Sequence, residues 1–251
     1  SALVAGPWLL PLGLATGLLA VCGVLSARSL PRLVAWLTVA SVGTVLAGVG
    51  LFSPAGLSAA LYYMVHSTLV VAALFLLAEL LAAQRGDAAD RIEPGPPLAQ
   101  PALLGLLMLL AAASAAGLPP LPGFIGKLMV LQPSSGIASQ PWVWAVVLTV
   151  GFLTLLGLAR AGSVLFWSER PELAGSGTPA GASPRMLAAP AALLGAGVLM
   201  SVLAGPLTRY TDAAAAQLAD RRSYVQAVLG VEGVITTRPY GFPGPDGEGR
   251  P

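Results

Sequence analysis

The chain has 251 residues, of which 56% are hydrophobic and only 10% charged, and its mean hydropathy is +0.80. Soluble domains carry about 25% charged residues, so the composition excludes a water-soluble globular protein and specifies an all-α integral membrane protein. A formal charge of +2, with no basic patch interleaved with aromatics, excludes a nucleic-acid binder.

A helical crossing needs ~20 apolar residues to cover ~30 Å of hydrocarbon. Six stretches meet that need, at roughly 7–27, 32–52, 58–83, 102–132, 141–167 and 186–205. The expected organisation is a transmembrane domain over 1–205, followed by an external amphipathic helix and disordered tail over 206–251. Ser1 leads into apolar sequence without a charged n-region or cleavage site, which reads as one piece of a longer protein.

The first stretch carries Gly13 and Gly17 at a small-xxx-small spacing suited to close helix contact. It also carries Cys22, the one cysteine, expected as a small buried hydrophobe. The third stretch holds His66, the only histidine, about 12 Å below Ser58 at the helical rise. Histidine titrates near neutrality and relays protons through water, although a lone one on an apolar helix also serves simply as a hydrogen-bonded core residue. Ser67 and Thr68 could support water beside it, or bond back to their own helix. Glu79 lies near the opposite end of the same stretch, at the depth of Arg160 on the fifth, so the two form a candidate ion pair at an inner mouth.

The fourth stretch is too long for a simple crossing. Pro119, Pro120 and Pro122 remove backbone donors, and with Gly117 and Gly123 around them they predict a broken helix. Lys127, the only lysine in the chain, follows that break by one turn. A lysine at membrane depth is expensive and faces a protein interior or a water-filled path, unless its stem snorkels to the interface. Snorkelling is within reach, because Lys127 sits about 8 Å from the end of its stretch near Gln132. A buried lysine amine near freed carbonyls is instead suited to proton exchange.

The connections alternate in charge. Arg28 and Arg32 flank the first, Arg85 and Arg91 lie in the third, and Arg170 and Arg185 in the fifth. The second and fourth carry no charge, so the odd connections are placed in the cytoplasm and the even ones outside. The third connection, RGDAADRIEPGPPLAQP, is read as a solvated link and the fifth as a mobile one. Asp87, Asp90, Glu93, Glu169 and Glu172 are expected to be solvated there. Past the last stretch, roughly 210–230 reads as a helix with Leu218, Tyr224, Val225 and Leu229 near one face, suited to a bilayer surface or a partner. The chain carries no nucleotide-binding glycine motif, nucleophile elbow or His/Glu metal spacing, so no cofactor, metal or hydrolytic chemistry is expected.

Three motifs carry a family resemblance. ARSLPRLVAWLTVASVGTVLAGVG resembles a basic connection and the helix after it in the antiporter-like subunits shared by Mrp-type multisubunit sodium/proton antiporters and respiratory complex I. YYMVHSTLVVAALFLLAELL is similar to the family's histidine-bearing helix, and GLPPLPGFIGKLMVLQ to its broken helix with a lysine. Complex I relatives commonly have a lysine four residues after that histidine, where this chain has Val70, and HSTLVVAALFLLAEL and RAGSVLFW look most like the Mrp branch. The resemblance implies the second of two inverted five-helix repeats plus a last helix. It further implies Lys127 as an exchangeable amine, with His66 on a hydrated axis beside it. The implied function is monovalent cation/proton antiport in a bacterial plasma membrane, within a complex of other Mrp subunits and lipid, exchanging H+ for Na+ or a similar ion. The fragment alone is not expected to transport. Two alternatives remain: a proton-translocating subunit of an NADH:quinone oxidoreductase or hydrogenase-type complex, and a scaffold whose polar residues only pack helices.

Overall fold

The computed structural model describes residues 6–168 and 181–220. Eight α-helices follow in order among them: α1 (Gly6–Ser26), α2 (Leu30–Gly50), α3 (Pro54–Gln84), α4 (Pro101–Ala116), α5 (Pro122–Leu131), α6 (Gln140–Trp167), α7 (Pro184–Val202) and α8 (Ala204–Ala219). Five of them, α1, α2, α3, α6 and α7, are long and apolar enough to cross a membrane, while α4 and α5 divide the fourth apolar stretch between them. Prolines set the starts: Pro31, Pro54, Pro101, Pro122, Pro141 and Pro184 each sit in a first turn, where the missing N–H costs nothing. Ser53 and Ser183 cap α3 and α7 by accepting from the N–H groups of Gly56 and Met186.

Packing makes α3 the central post, contacted by α2, α4, α5, α7 and α8. The main core gathers around its second half, where Val70, Leu74, Leu77 and Leu81 meet Leu33, Leu37, Leu104, Met108 and Leu158. At the edge of the bundle α1 and α2 lie so close that a methyl on Gly13 would come within 2.7 Å of the Ala47 nitrogen. The small-residue spacing in α1 therefore serves backbone contact. Cys22 departs from expectation: it is exposed, on the outward stripe of α1 with Leu18, Leu19 and Leu25.

The third connection keeps Asp87, Arg91 and Glu93 exposed, as its composition suggests, but it is also ordered around a buried residue. Arg85, at the end of α3, is only 1% exposed, and its guanidinium donates to the carbonyls of Ala89 (2.9 Å), Arg91 (2.6 Å) and Glu93. Burial lowers its pKa, but a guanidinium remains protonated in proteins. The loop wrapped around it pairs with the α1–α2 connection, Leu30 N–H to the Asp90 carbonyl and Ile92 N–H to the Arg28 carbonyl, each at 2.9 Å. Gln84 accepts from the Ala99 N–H and Gln100 exchanges two hydrogen bonds with Ala182, so the same loop reaches the start of α7. A Pro-rich, mixed-charge sequence is ordered here because a buried fork of donors answers its carbonyls.

The last apolar stretch ends at Val202, and α8 begins after Leu203 and folds against α3, burying Thr211 and Ala215. Ser58 and Thr211 share a 2.8 Å hydrogen bond across that contact. Leu218 is exposed, and the amphipathic positions expected at Tyr224, Val225 and Leu229 lie outside the described residues, as do Glu169 and Glu172.

Candidate functional site at the interrupted helix

The interruption is built from backbone accounting. Gly117 ends α4 at φ +84°, a left-handed conformation that suits glycine, and its N–H returns to the Ala113 and Ser114 carbonyls. Leu118 N–H also returns to Ala113. Pro119 and Pro120, joined by a cis peptide, carry the chain across to Pro122 at the start of α5. This pattern leaves the Ala115 and Ala116 carbonyls without backbone donors, at the negative end of the α4 dipole.

Lys127 fills that end. Its Nζ donates to the Ala116 carbonyl at 2.5 Å and to the Ala115 carbonyl at 3.3 Å. Lys127 as a residue is 9% exposed, so the stem turns inward to α4 instead of extending to the surface. Space for the amine comes from two glycines, since a methyl on Gly117 or Gly151 would come within 3.0 or 3.1 Å of Nζ. No carboxylate lines either cavity that Lys127 borders.

His66 is 1% exposed on α3 and meets the Tyr63 ring edge-on at a centroid distance of 5.6 Å. Its neighbour Gly123 has no alternative, because a β-carbon there would collide with the Ser114 carbonyl and approach His66 Nε2 to 2.9 Å. His66 and Lys127 border one cavity of about 10 Å³, whose polar walls also include Ser41, Tyr63 and Thr154. That is room for about one water, with enough polar partners to hold it. On its other side Lys127 borders a wider groove of about 280 Å³ between α5 and α6. A buried amine between carbonyl ligands and a one-water space beside an imidazole can accept, hold and pass a proton.

Lys127, His66, Gly117, Pro119, Pro120, Pro122 and Gly123 are thus brought to one region. Glu79 and Arg160 are not brought together. Glu79 lies on the exposed stripe of α3 with Phe75 and Leu76, and Arg160 donates to the Ala27 carbonyl at 2.8 Å. Matching depth did not make them partners because their helices present different faces. The ion pair among the described residues is instead Arg91 with Glu93, at 2.8 Å on the surface. Ser67 and Thr68 both bond back to the Met64 carbonyl.

Sequence reasoning missed Tyr63, Ser41 and Thr154. Tyr63 had a signal, standing three residues before His66 on the same helix face. Ser41 and Thr154 had none beyond being hydroxyls in apolar stretches. Among the described residues no group of three His, Cys, Asp or Glu side chains could hold a metal.

Comparisons with known proteins bear on the fold as a whole. Residues 2–156 match the model of the NADH:quinone oxidoreductase/Mrp antiporter transmembrane family. The chain is 32% identical over 219 residues to a Na(+)/H(+) antiporter subunit of Bacillus subtilis (strain 168), covering 85% of this chain and 43% of that protein. Among solved structures it is similar to a chain of the Mrp complex from Dietzia sp. DQ12-45-1b, with TM-score 0.72, 29% identity, and coverage of 88% of this chain and 49% of that one. It is also similar to a chain of respiratory complex I from Thermus thermophilus, with TM-score 0.73, 25% identity, and coverage of 86% and 44%. The chain spans less than half the length of the curated antiporter relatives it matches.

Proposed function

The chain belongs to the NADH:quinone oxidoreductase/Mrp antiporter transmembrane family, and from that membership we propose that it is part of a membrane subunit of a monovalent cation/proton antiporter. Residues 1–205 serve as its membrane domain, and Lys127 is the residue on which protons load and unload. The observation that carries this reading is the Lys127 amine held on the two carbonyls left over at the end of α4, one small polar cavity away from His66. When the amine is protonated, its charge is answered by the α4 dipole. When it passes the proton through the cavity toward His66, the negative helix end is left without a balancing charge. That change is what a coupled cation movement elsewhere in the assembly can respond to. The exchanged ion is Na+ or another monovalent cation. The partners are the other hydrophobic subunits of an Mrp-type complex, and the setting is a bacterial plasma membrane.

The reading is tested by Lys127→Ala in the complete assembly, measured as cation-driven proton movement in inverted membrane vesicles. The expected result is loss of exchange by about 100-fold or more, the range removed with a proton-transfer group, with the assembled complex still present. Normal exchange by that variant would leave these polar residues as helix-packing groups in a scaffold. The redox-driven alternative, supported by the likeness to complex I, separates in the same vesicles: proton movement that follows NADH addition and ignores an imposed cation gradient would favour it.

A further inference from the structure

His66 borders a second cavity, distinct from the one it shares with Lys127. It lies between α3, α4, the entry to α5 and α7, measures about 10 Å³, and is lined by Ser114, Leu110, Leu121, Leu194 and Gly197 besides the imidazole. Both polar members of its wall are buried, His66 at 1% and Ser114 at 5% exposure. Buried polar groups are satisfied by protein or by ordered water, and a polar space of this size holds about one water. An imidazole has two nitrogens that can each serve a different neighbour. His66 therefore stands as the partition between two one-water spaces, with Lys127 on one side and α7 on the other.

Gly197 is buried on α7 and forms part of the wall of the second space. The nearest heavy atom to a methyl built there is Cγ of Pro122, at 3.9 Å, an ordinary contact. A methyl at this position would not force the helices apart. At Gly123 the reverse holds, since a methyl there collides with the Ser114 carbonyl. Gly197 is thus glycine in a place where packing alone would accept alanine.

We propose that the proton path through Lys127 continues past His66 into this second one-water site, and that Gly197 of α7 keeps the site open. The ligand is a single water held by the His66 imidazole and the Ser114 hydroxyl. The proposal rests on the reading of Lys127 and His66 as pathway residues, and it adds α7 to the helices that form the path.

The test compares Gly197→Ala, Gly197→Ser and Gly197→Val with Lys127→Ala, each in the complete assembly in membrane vesicles, with exchange normalised to assembled complex. Filling the space with a methyl that cannot replace the water's hydrogen bonds is expected to slow exchange by about 3- to 10-fold. Serine has nearly the same bulk but returns a hydroxyl, so it should keep at least about twice the alanine rate. Should the valine variant fail to assemble, the alanine and serine pair decides. Equal slowing by alanine and serine would assign Gly197 to packing and overturn the proposal. So would wild-type exchange by the alanine variant while Lys127→Ala exchanges none. Exchange that survives Lys127→Ala is a different failure, that of the pathway reading itself.

Discussion

Arg85 and Lys127 are both buried cations whose ligands are backbone carbonyls, and their surroundings differ in almost every other respect. Arg85 is enclosed by the loop it organises, with three carbonyls on its fork and Gly95 so close that a methyl there would lie 2.9 Å from Nη2. Among the described residues Lys127 donates to the two carbonyls at a helix end, and it borders a cavity on each of two sides. A guanidinium keeps its proton whatever its setting, whereas an ammonium can give its proton up. A permanent charge in a closed loop fixes structure. A charge that can be surrendered, beside a space fit for water, is what the proposed proton path requires.

The largest expected effect tests that contrast at the lysine. Lys127→Arg preserves the positive charge and can still donate to Ala115 and Ala116, but it cannot release its proton. Exchange should fall as far as in the alanine variant, by about 100-fold or more, while the assembled complex remains. Wild-type exchange by the arginine variant would mean that a fixed charge suffices, and the two sites would then differ only in location.

At the loop the expected outcome has the opposite character. Arg85→Ala strips the charged donors from three carbonyls at a buried site, at a cost of about 1–3 kcal/mol for each carbonyl left unsatisfied. The loop would lose its hold on the α1–α2 connection and, through Gln84 and Gln100, on the start of α7. The yield of assembled protein and its melting temperature in detergent should drop sharply, with exchange per assembled molecule within about twofold of normal. Normal yield with lost exchange would make Arg85 a working residue and collapse the distinction.

The legibility of these regions in sequence follows the same division. The break between α4 and α5 is readable because proline acts on the backbone at its own position, and so are the apolar stretches, because hydrocarbon thickness sets their length. The ligands of Lys127 are not readable. They are carbonyls of two alanines, a group that every residue carries, and which carbonyls are left free depends on how Gly117 closes the helix. Arg85 misled for a related reason: arginines beside apolar stretches mark the cytoplasmic side, and that rule is silent on whether the side chain points to water or inward. Ser41 and Thr154 reach the cavity only through the packing of α2 and α6 around α3 and α5.

Glu79 and Arg160 show what depth alone leaves undetermined, and they supply the smallest expected effect. Two residues on different helices at one depth can still face any direction around their axes, and here Glu79 faces outward while Arg160 turns to the carbonyl at the end of α1. Glu79→Gln should therefore change exchange by no more than about twofold, as surface substitutions away from a site generally do. Arg160→Gln should cost somewhat more, because the Ala27 carbonyl loses a charged donor. The two changes should add without coupling, since they share no partner. A charge-swapped double variant that recovers activity lost in both singles would show that the pair forms in the assembled complex. Additivity would show that Glu79 and Arg160 act independently, each through its own surroundings on α3 and α6.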